Sequence, residues 1–267
     1  MKEVPVISSR RHALVDELKS IRDGLDAALM FLEGPRLVQE VLRSAKPIEI
    51  LVWTLSAKDF PEFSAALTQA KRNFQVSPAV FEAVSDVRSP QGILAITRRP
   101  ECRWEDLTGR APAPLLVLDG IQDPGNVATI LRTAEAAGAA GVVTTPATAH
   151  LFSPKALRGA MGSTLRLPCL EHLPVRDIQS SLVKAGYALV AAEMESPEIV
   201  SAGYCRHDWK KPWAILLGQE GRGFSEDWKP LIRAYVHIPM RPPVESLNVA
   251  AAAAILLYES LRQRELS

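Results

Sequence analysis

The sequence predicts an α/β protein of two domains, the second built on a parallel sheet. Three observations predict it. The 267 residues exceed one domain of roughly 150. Short apolar runs alternate with helical periodicities along most of the chain. The alternation stops between Pro100 and Pro114, where Glu101-Cys102-Arg103-Trp104-Glu105-Asp106 leads into Thr108-Gly109-Arg110-Ala111-Pro112-Ala113-Pro114 without an apolar period. Residues 101–114 therefore read as a linker between a domain at 1–100 and one at 115–267.

In the first domain, apolar runs at Ala27–Leu32, Ile48–Thr54 and Gly92–Thr97 predict strands. Helical patterns at His12–Asp23, Pro35–Ser44 and Phe60–Arg72 separate them, with Gly34-Pro35 opening the second helix. After the linker, the unbroken apolar run Leu115–Leu118 predicts a strand buried on both faces, as in a parallel sheet. A turn-rich loop, Asp119–Asn126, precedes a helix over Val127–Ala137, which Gly138 closes. Further strands are expected at Val142-Val143, Tyr187–Ala192, Trp213–Leu217 and Tyr235–Ile238, with a helix through Ser180–Ala185. Ser246 is expected to cap a last helix running through Leu261 or beyond.

Composition excludes several classes. Apolar residues make up 47% and charged residues 23%, which rules out a disordered or collagen-like chain. The longest apolar stretch, Val249–Tyr258, is about half of a bilayer-spanning helix, and the start lacks a signal-peptide pattern. A cytoplasmic protein without membrane contact is expected. Cys102, Cys169 and Cys205 are too widely spaced for C-x-x-C ligand pairs, so no metal site is expected. Basic and acidic residues nearly cancel, 31 against 30, so charge alone announces no nucleic-acid partner. Arg10-Arg11, Arg98-Arg99 with Arg103, and Lys210-Lys211 remain candidate phosphate contacts beside a reading as ordinary solvated surface.

Three segments carry chemistry. In the first, Asn126 opens a helix after a parallel strand, a place where free N–H groups favour anions. Arg132 lies about 9 Å further along that helix and slants back toward the loop. Alone, the pair is equally explained by Asn126 capping the helix and Arg132 pairing with Glu135 or a loop aspartate. The second is Gly218-Gln219-Glu220-Gly221-Arg222-Gly223 after a strand. Its glycines suit close backbone approach to a ligand, but it matches neither the P-loop nor the dinucleotide fingerprint, and a tight turn with a solvated Glu220 explains it as well. The third, His237–Val249, enters Ala250–Ala254, an alanine run whose slender face suits close packing. The helix is apolar nearly all round and should be buried, in part against another subunit. Asn248, a mediocre helix former in what should be an enclosed first turn, is harder to assign to structure alone.

Together these segments resemble the three motifs of the SpoU (TrmH-like) family of RNA ribose 2′-O-methyltransferases: Asn126 with Arg132, then Gly218-x-Glu220-Gly221-x-Gly223, then Ile238-Pro239-Met240 followed by Ser246-Leu247-Asn248-Val249. The resemblance spans Leu115 to the C-terminus. Residues 31–38 and 89–93 are similar to the family's ribosomal-protein-like RNA-binding extension. The resemblance implies a SPOUT domain whose C-terminal segment forms a trefoil knot, a homodimer, an RNA substrate and S-adenosylmethionine as cofactor. Gly218, Ile238 and Leu247 match its cofactor-contacting positions; Asn126, Arg132, Glu220, Ser246 and Asn248 match its catalytic or RNA-facing ones. Arg132 is then expected near the target ribose, removing its proton or stabilising the alkoxide. An N-terminal domain of this kind favours ribosomal over transfer RNA.

Gln219, Pro242, Ala250 and Ala160 stand where the family commonly has asparagine, glycine, serine and serine, which bears on loop geometry and substrate choice. Two other classes fit parts of the sequence: a non-catalytic RNA-binding protein on the same fold, and a different nucleotide-using α/β enzyme such as a dehydrogenase.

Overall fold

The computed structural model describes residues 5–194, 199–219, 221 and 223–265. The chain divides into two compact units, Met1–Pro100 with Phe152–Arg166, and Glu101–Leu151 with Leu167–Ser267.

The first unit contains α1 (Ala13–Arg22), β1 (Leu29–Glu33), α2 (Pro35–Arg43), β2 (Ile48–Trp53), α3 (Phe63–Gln69), β3 (Ala70–Gln75), α4 (Pro78–Val84) and β4 (Ile93–Arg98). Its sheet has the order β1-β4-β2-β3. The β1–β4 and β2–β4 pairs are antiparallel and β2–β3 is parallel. The expected strands and the first two helices are present, but the helix expected over Phe60–Arg72 ends at Gln69 and the chain turns into β3. Lys71 and Arg72 are polar because β3 lies at the sheet edge, where backbone pairing with β2 suffices. Their charges meet Glu49 and Glu17, both at 2.8 Å.

The second unit begins inside the stretch expected to be a linker. There α5 (Trp104–Thr108) forms, started by the Arg103 N–H donating to Asp106 Oδ2 at 2.7 Å and anchored by the buried Leu107. Then come β5 (Leu115–Asp119), α6 (Pro124–Ala136) and β6 (Gly141–Thr144); α7 (Pro154–Ala160) follows in chain order but belongs to the first unit, and the second resumes with β7 (Cys169–Leu170), α8 (Val175–Lys184), β8 (Ala188–Ala192), β9 (Ala202–Gly203), β10 (Trp213–Gly218), β11 (Ile232–His237) and α9 (Val249–Glu265). A domain boundary drawn only around residues 101–114 misses that α7 packs with the first unit, where Leu157 and Leu165 join the core of Leu32, Val38 and Trp53.

The sheet of the second unit is parallel throughout, in the order β7-β6-β5-β10-β8-β11-β9. Leu115–Leu118 is wholly buried, as its unbroken apolar run requires. Two sequence expectations about α9 change. Its cap is Asn248, whose Oδ1 accepts the Ala250 and Ala251 N–H groups at 2.9 and 3.4 Å; Ser246 lies before it. The helix buries the stripe Val249, Ala250, Ala253, Leu256, Leu257 and Ser260, against α6 among other elements. Ala251 and Tyr258 face solvent in the single chain. A run apolar on all sides thus covers only one face with its own chain. Among the described residues no helix is long and apolar enough to cross a membrane.

Candidate active site

Parallel sheets present their ligand sites beyond the carboxyl ends of the strands, and this one does so at three neighbours. A cavity of about 410 Å³ is lined by Ala192 from β8, Leu217 and Gly218 from β10, and Val236 and Ile238 from β11 and its exit. Gln219, Gly221, Gly223 and Phe224 from the glycine loop add to it, as do Ser246, Leu247 and Val249 at the start of α9. Gly218, Ile238 and Leu247, singled out as cofactor-contacting positions, therefore share one cavity, and Ser246 joins them.

The glycine loop is closed on itself. The Gln219 N–H donates to the Gly223 carbonyl and the Gly223 N–H to the Gln219 carbonyl, each at 2.8 Å. This leaves no room for a side chain at Gly218, since a Cβ there would sit 2.3 Å from the Gly223 carbonyl carbon. Gly221 and Gly223 have φ of 83° and 67°, a region L-residues rarely occupy. Glu220, a predicted catalytic position, and Arg222 lie outside the described residues.

A buried carboxylate that sequence reading passed over anchors this loop. Asp119 ends β5 and stands beside Gly218 in the sheet register. Its Oδ2 accepts the Ser225 N–H at 2.7 Å and the Trp228 indole N–H at 3.0 Å, while its Oδ1 accepts the Thr145 hydroxyl at 2.7 Å. The buried Trp228 combines a large apolar surface with a satisfied polar atom. An acidic residue ending an otherwise apolar strand was the available signal.

Asn126 and Asn248 meet directly: the Asn248 Nδ2 donates to Asn126 Oδ1 at 2.9 Å. Asn126 does not cap α6; Asp123 does, with Oδ1 accepting the Asn126 N–H at 3.0 Å. The side chain of Asn126 is thereby left to face α9. Asn248 is exposed rather than enclosed, and its amide serves both the helix cap and this bond. Arg132 is exposed on α6, outside the cavity lining, and no ion pair to it is seen among the described residues.

The cavity wall is mostly apolar, with Met194, Ile199, Tyr235, Met240 and Leu256 alongside the acidic Glu193 and Glu226. Glu226 bonds Lys229 at 2.7 Å and holds that amine above its ordinary pKa. Sequence reading missed all of these except Met240, because each becomes part of the site only through strand order.

Residues 113–258 match the model of the SpoU rRNA Methylase family, and residues 15–95 match that of the MRM3-like substrate binding domain. The chain is 30% identical to the 23S rRNA (guanosine(2553)-2′-O)-methyltransferase RlmP of Bacillus subtilis, over 97% of this chain and 98% of that protein. It is also 30% identical to an uncharacterized tRNA/rRNA methyltransferase of Synechocystis, over 98% and 95% of the two chains. Among solved structures, the AdoMet-bound rRNA methyltransferase from Sinorhizobium meliloti superimposes with a TM-score of 0.85 at 26% identity, covering 99% of each chain.

Proposed function

Because the chain belongs to the SpoU rRNA methylase family, we infer that it transfers a methyl group from S-adenosylmethionine to a ribose 2′-hydroxyl of ribosomal RNA, using the cavity between the glycine loop and the start of α9. The observation that carries this reading is the convergence of Gly218, Ile238 and Leu247 on one cavity.

The residues present fit that cofactor. The volume, about 410 Å³, falls within the usual range for small-molecule sites. Gly218, Gly221 and Gly223 bring bare backbone to the cavity wall, where a ligand can approach closely, and Glu193 suits a cationic ligand. When bound, the sulfonium supplies an electrophilic methyl group.

The chain's task is to align and activate a hydroxyl that is a poor nucleophile while protonated. Alignment lowers the barrier by removing translational and rotational freedom before the reaction. Arg132, a permanent cation exposed on α6, is assigned to the developing alkoxide and the adjacent phosphate. Asn126 and Asn248 hold the starts of α6 and α9 together beside the cavity. Ser246, at the cavity rim, is assigned to substrate contact, and Glu220 to orienting Arg132 or Asn126.

The domain at residues 1–100 is assigned to RNA capture, supported by its match to a substrate-binding family. The exposed Ala251 and Tyr258 on α9 support a homodimer that covers the helix face left open in one chain. A C-terminal trefoil crossing is proposed with it, supported by α9 returning to α6 after the last strands. A cytoplasmic location fits the reaction. Incubation with labelled S-adenosylmethionine and ribosomal RNA, followed by alkaline hydrolysis, tests the reading. Label is expected in alkali-resistant dinucleotides, and label confined to bases would refute it.

A further inference from the structure

We propose that His150, Glu171 and His172 form a binding site for a single divalent transition-metal ion of the zinc type, separate from the cavity. The cysteine spacing argued only against a cysteine-ligated ion, and these residues are of another kind. They come together because β6 and β7 are parallel neighbours. His150 lies in the loop leaving β6, and Glu171 and His172 directly follow β7.

The separations suit one ion. Glu171 Oε1 lies 3.1 Å from His150 Nδ1 and 3.8 Å from His172 Nε2, and donor atoms of the three residues all lie within 4.8 Å of one another. Ligands placed about 2.0–2.2 Å from a tetrahedral zinc ion stand roughly 3.4 Å apart. The Thr148 carbonyl, 3.0 Å from His172 Nε2, leaves the fourth position to itself or to water. The backbone is committed to this arrangement: His172 has φ of 57°, and its N–H donates to Thr144 Oγ1 at 3.0 Å. Non-glycine residues held there persist where their surroundings require it.

The proton balance is simple. Without metal, the His172 Nε2–H donates to the Thr148 carbonyl, and the His150 Nδ1–H lies against Glu171. An ion takes both nitrogens bare, and each neutral ring carries its proton on the other nitrogen, so neutral rings release none. His150 precedes the Phe152–Arg166 segment and Glu171 follows it, so one ion ties the chain on both sides of that segment.

The test is titration of the chelator-stripped full-length protein with Zn²⁺ against a chromophoric chelator, with Co²⁺ as a spectroscopic probe. One equivalent with micromolar or tighter affinity is expected, together with visible cobalt bands of a low-coordinate nitrogen and oxygen site. His150→Ala, at an exposed position, and Glu171→Gln are each expected to weaken binding by at least about tenfold, whereas Cys205→Ser leaves it unchanged. Zinc binding no tighter than millimolar, or binding indifferent to both ligand substitutions, overturns the proposal and leaves a hydrogen-bonded trio.

Discussion

Asn248 donates its side-chain amide to Asn126 at 2.9 Å across 122 residues of sequence, and the same side chain caps α9 through its oxygen. One residue thus performs two separable tasks. Asn248→Ser keeps a capping oxygen and removes the reach to Asn126. The melting temperature is expected to stay within a few degrees of the parent, while methyl transfer falls at least about tenfold. Unchanged transfer at unchanged stability would show the link to be functionally idle.

Gly218→Ala places a methyl group 2.3 Å from the Gly223 carbonyl carbon. Backbone must shift to accept it, which deforms the loop that faces the cavity. S-adenosylmethionine affinity, measured by calorimetry, is expected to drop by at least about tenfold while circular dichroism shows a folded chain.

Asp119 accepts three hydrogen bonds in a buried position. Asp119→Ala leaves the Ser225 and Trp228 N–H groups without acceptors and is expected to cost about 2–4 kcal/mol in denaturant unfolding. Asp119→Asn costs less, because its oxygen still faces both N–H groups and the Thr145 hydroxyl rotates to accept from the amide. Equal losses for the two variants would contradict this account of the site.

Arg132 lies outside the cavity lining, so its removal separates binding from turnover. Arg132→Ala is expected to lower kcat by about 10²-fold or more and to leave S-adenosylmethionine affinity within about twofold of the parent. A full-rate Arg132→Ala enzyme would remove this residue from the mechanism.

His207 packs against the Trp209 and Trp213 rings at 4.7 and 4.5 Å, with its Nε2 buried and without a hydrogen-bond partner among the described residues. Burial lowers its pKa from the ordinary 6.5. Below pH 6.5 the unfolded chain binds a proton that the folded chain refuses, so stability falls as the pH drops toward the folded value. His207→Phe is expected to flatten the slope of stability against pH in that window, as read by urea unfolding. A slope unaltered by the substitution would assign the acid sensitivity elsewhere.

Local pattern alone was enough for the two α/β units and the parallel character of the second sheet, and the resemblance to a family singled out Gly218, Ile238 and Leu247 at its carboxyl edge. Those three positions were legible only through the resemblance, whose motifs are contiguous in sequence, whereas the strands were legible because burial on both faces demands an unbroken apolar run such as Leu115–Leu118. Tertiary structure decided the remainder. Ala70–Gln75 is a strand only because β2 offers its edge, and Asn248 rather than Ser246 caps α9. Phe152–Arg166 belongs with the first unit, and Asp119 finds two of its three partners more than 100 residues away. The division has a physical cause. Hydrophobic periodicity is written in a segment's own side chains, whereas edge pairing, cap choice and buried hydrogen bonds depend on groups that only the folded chain brings alongside.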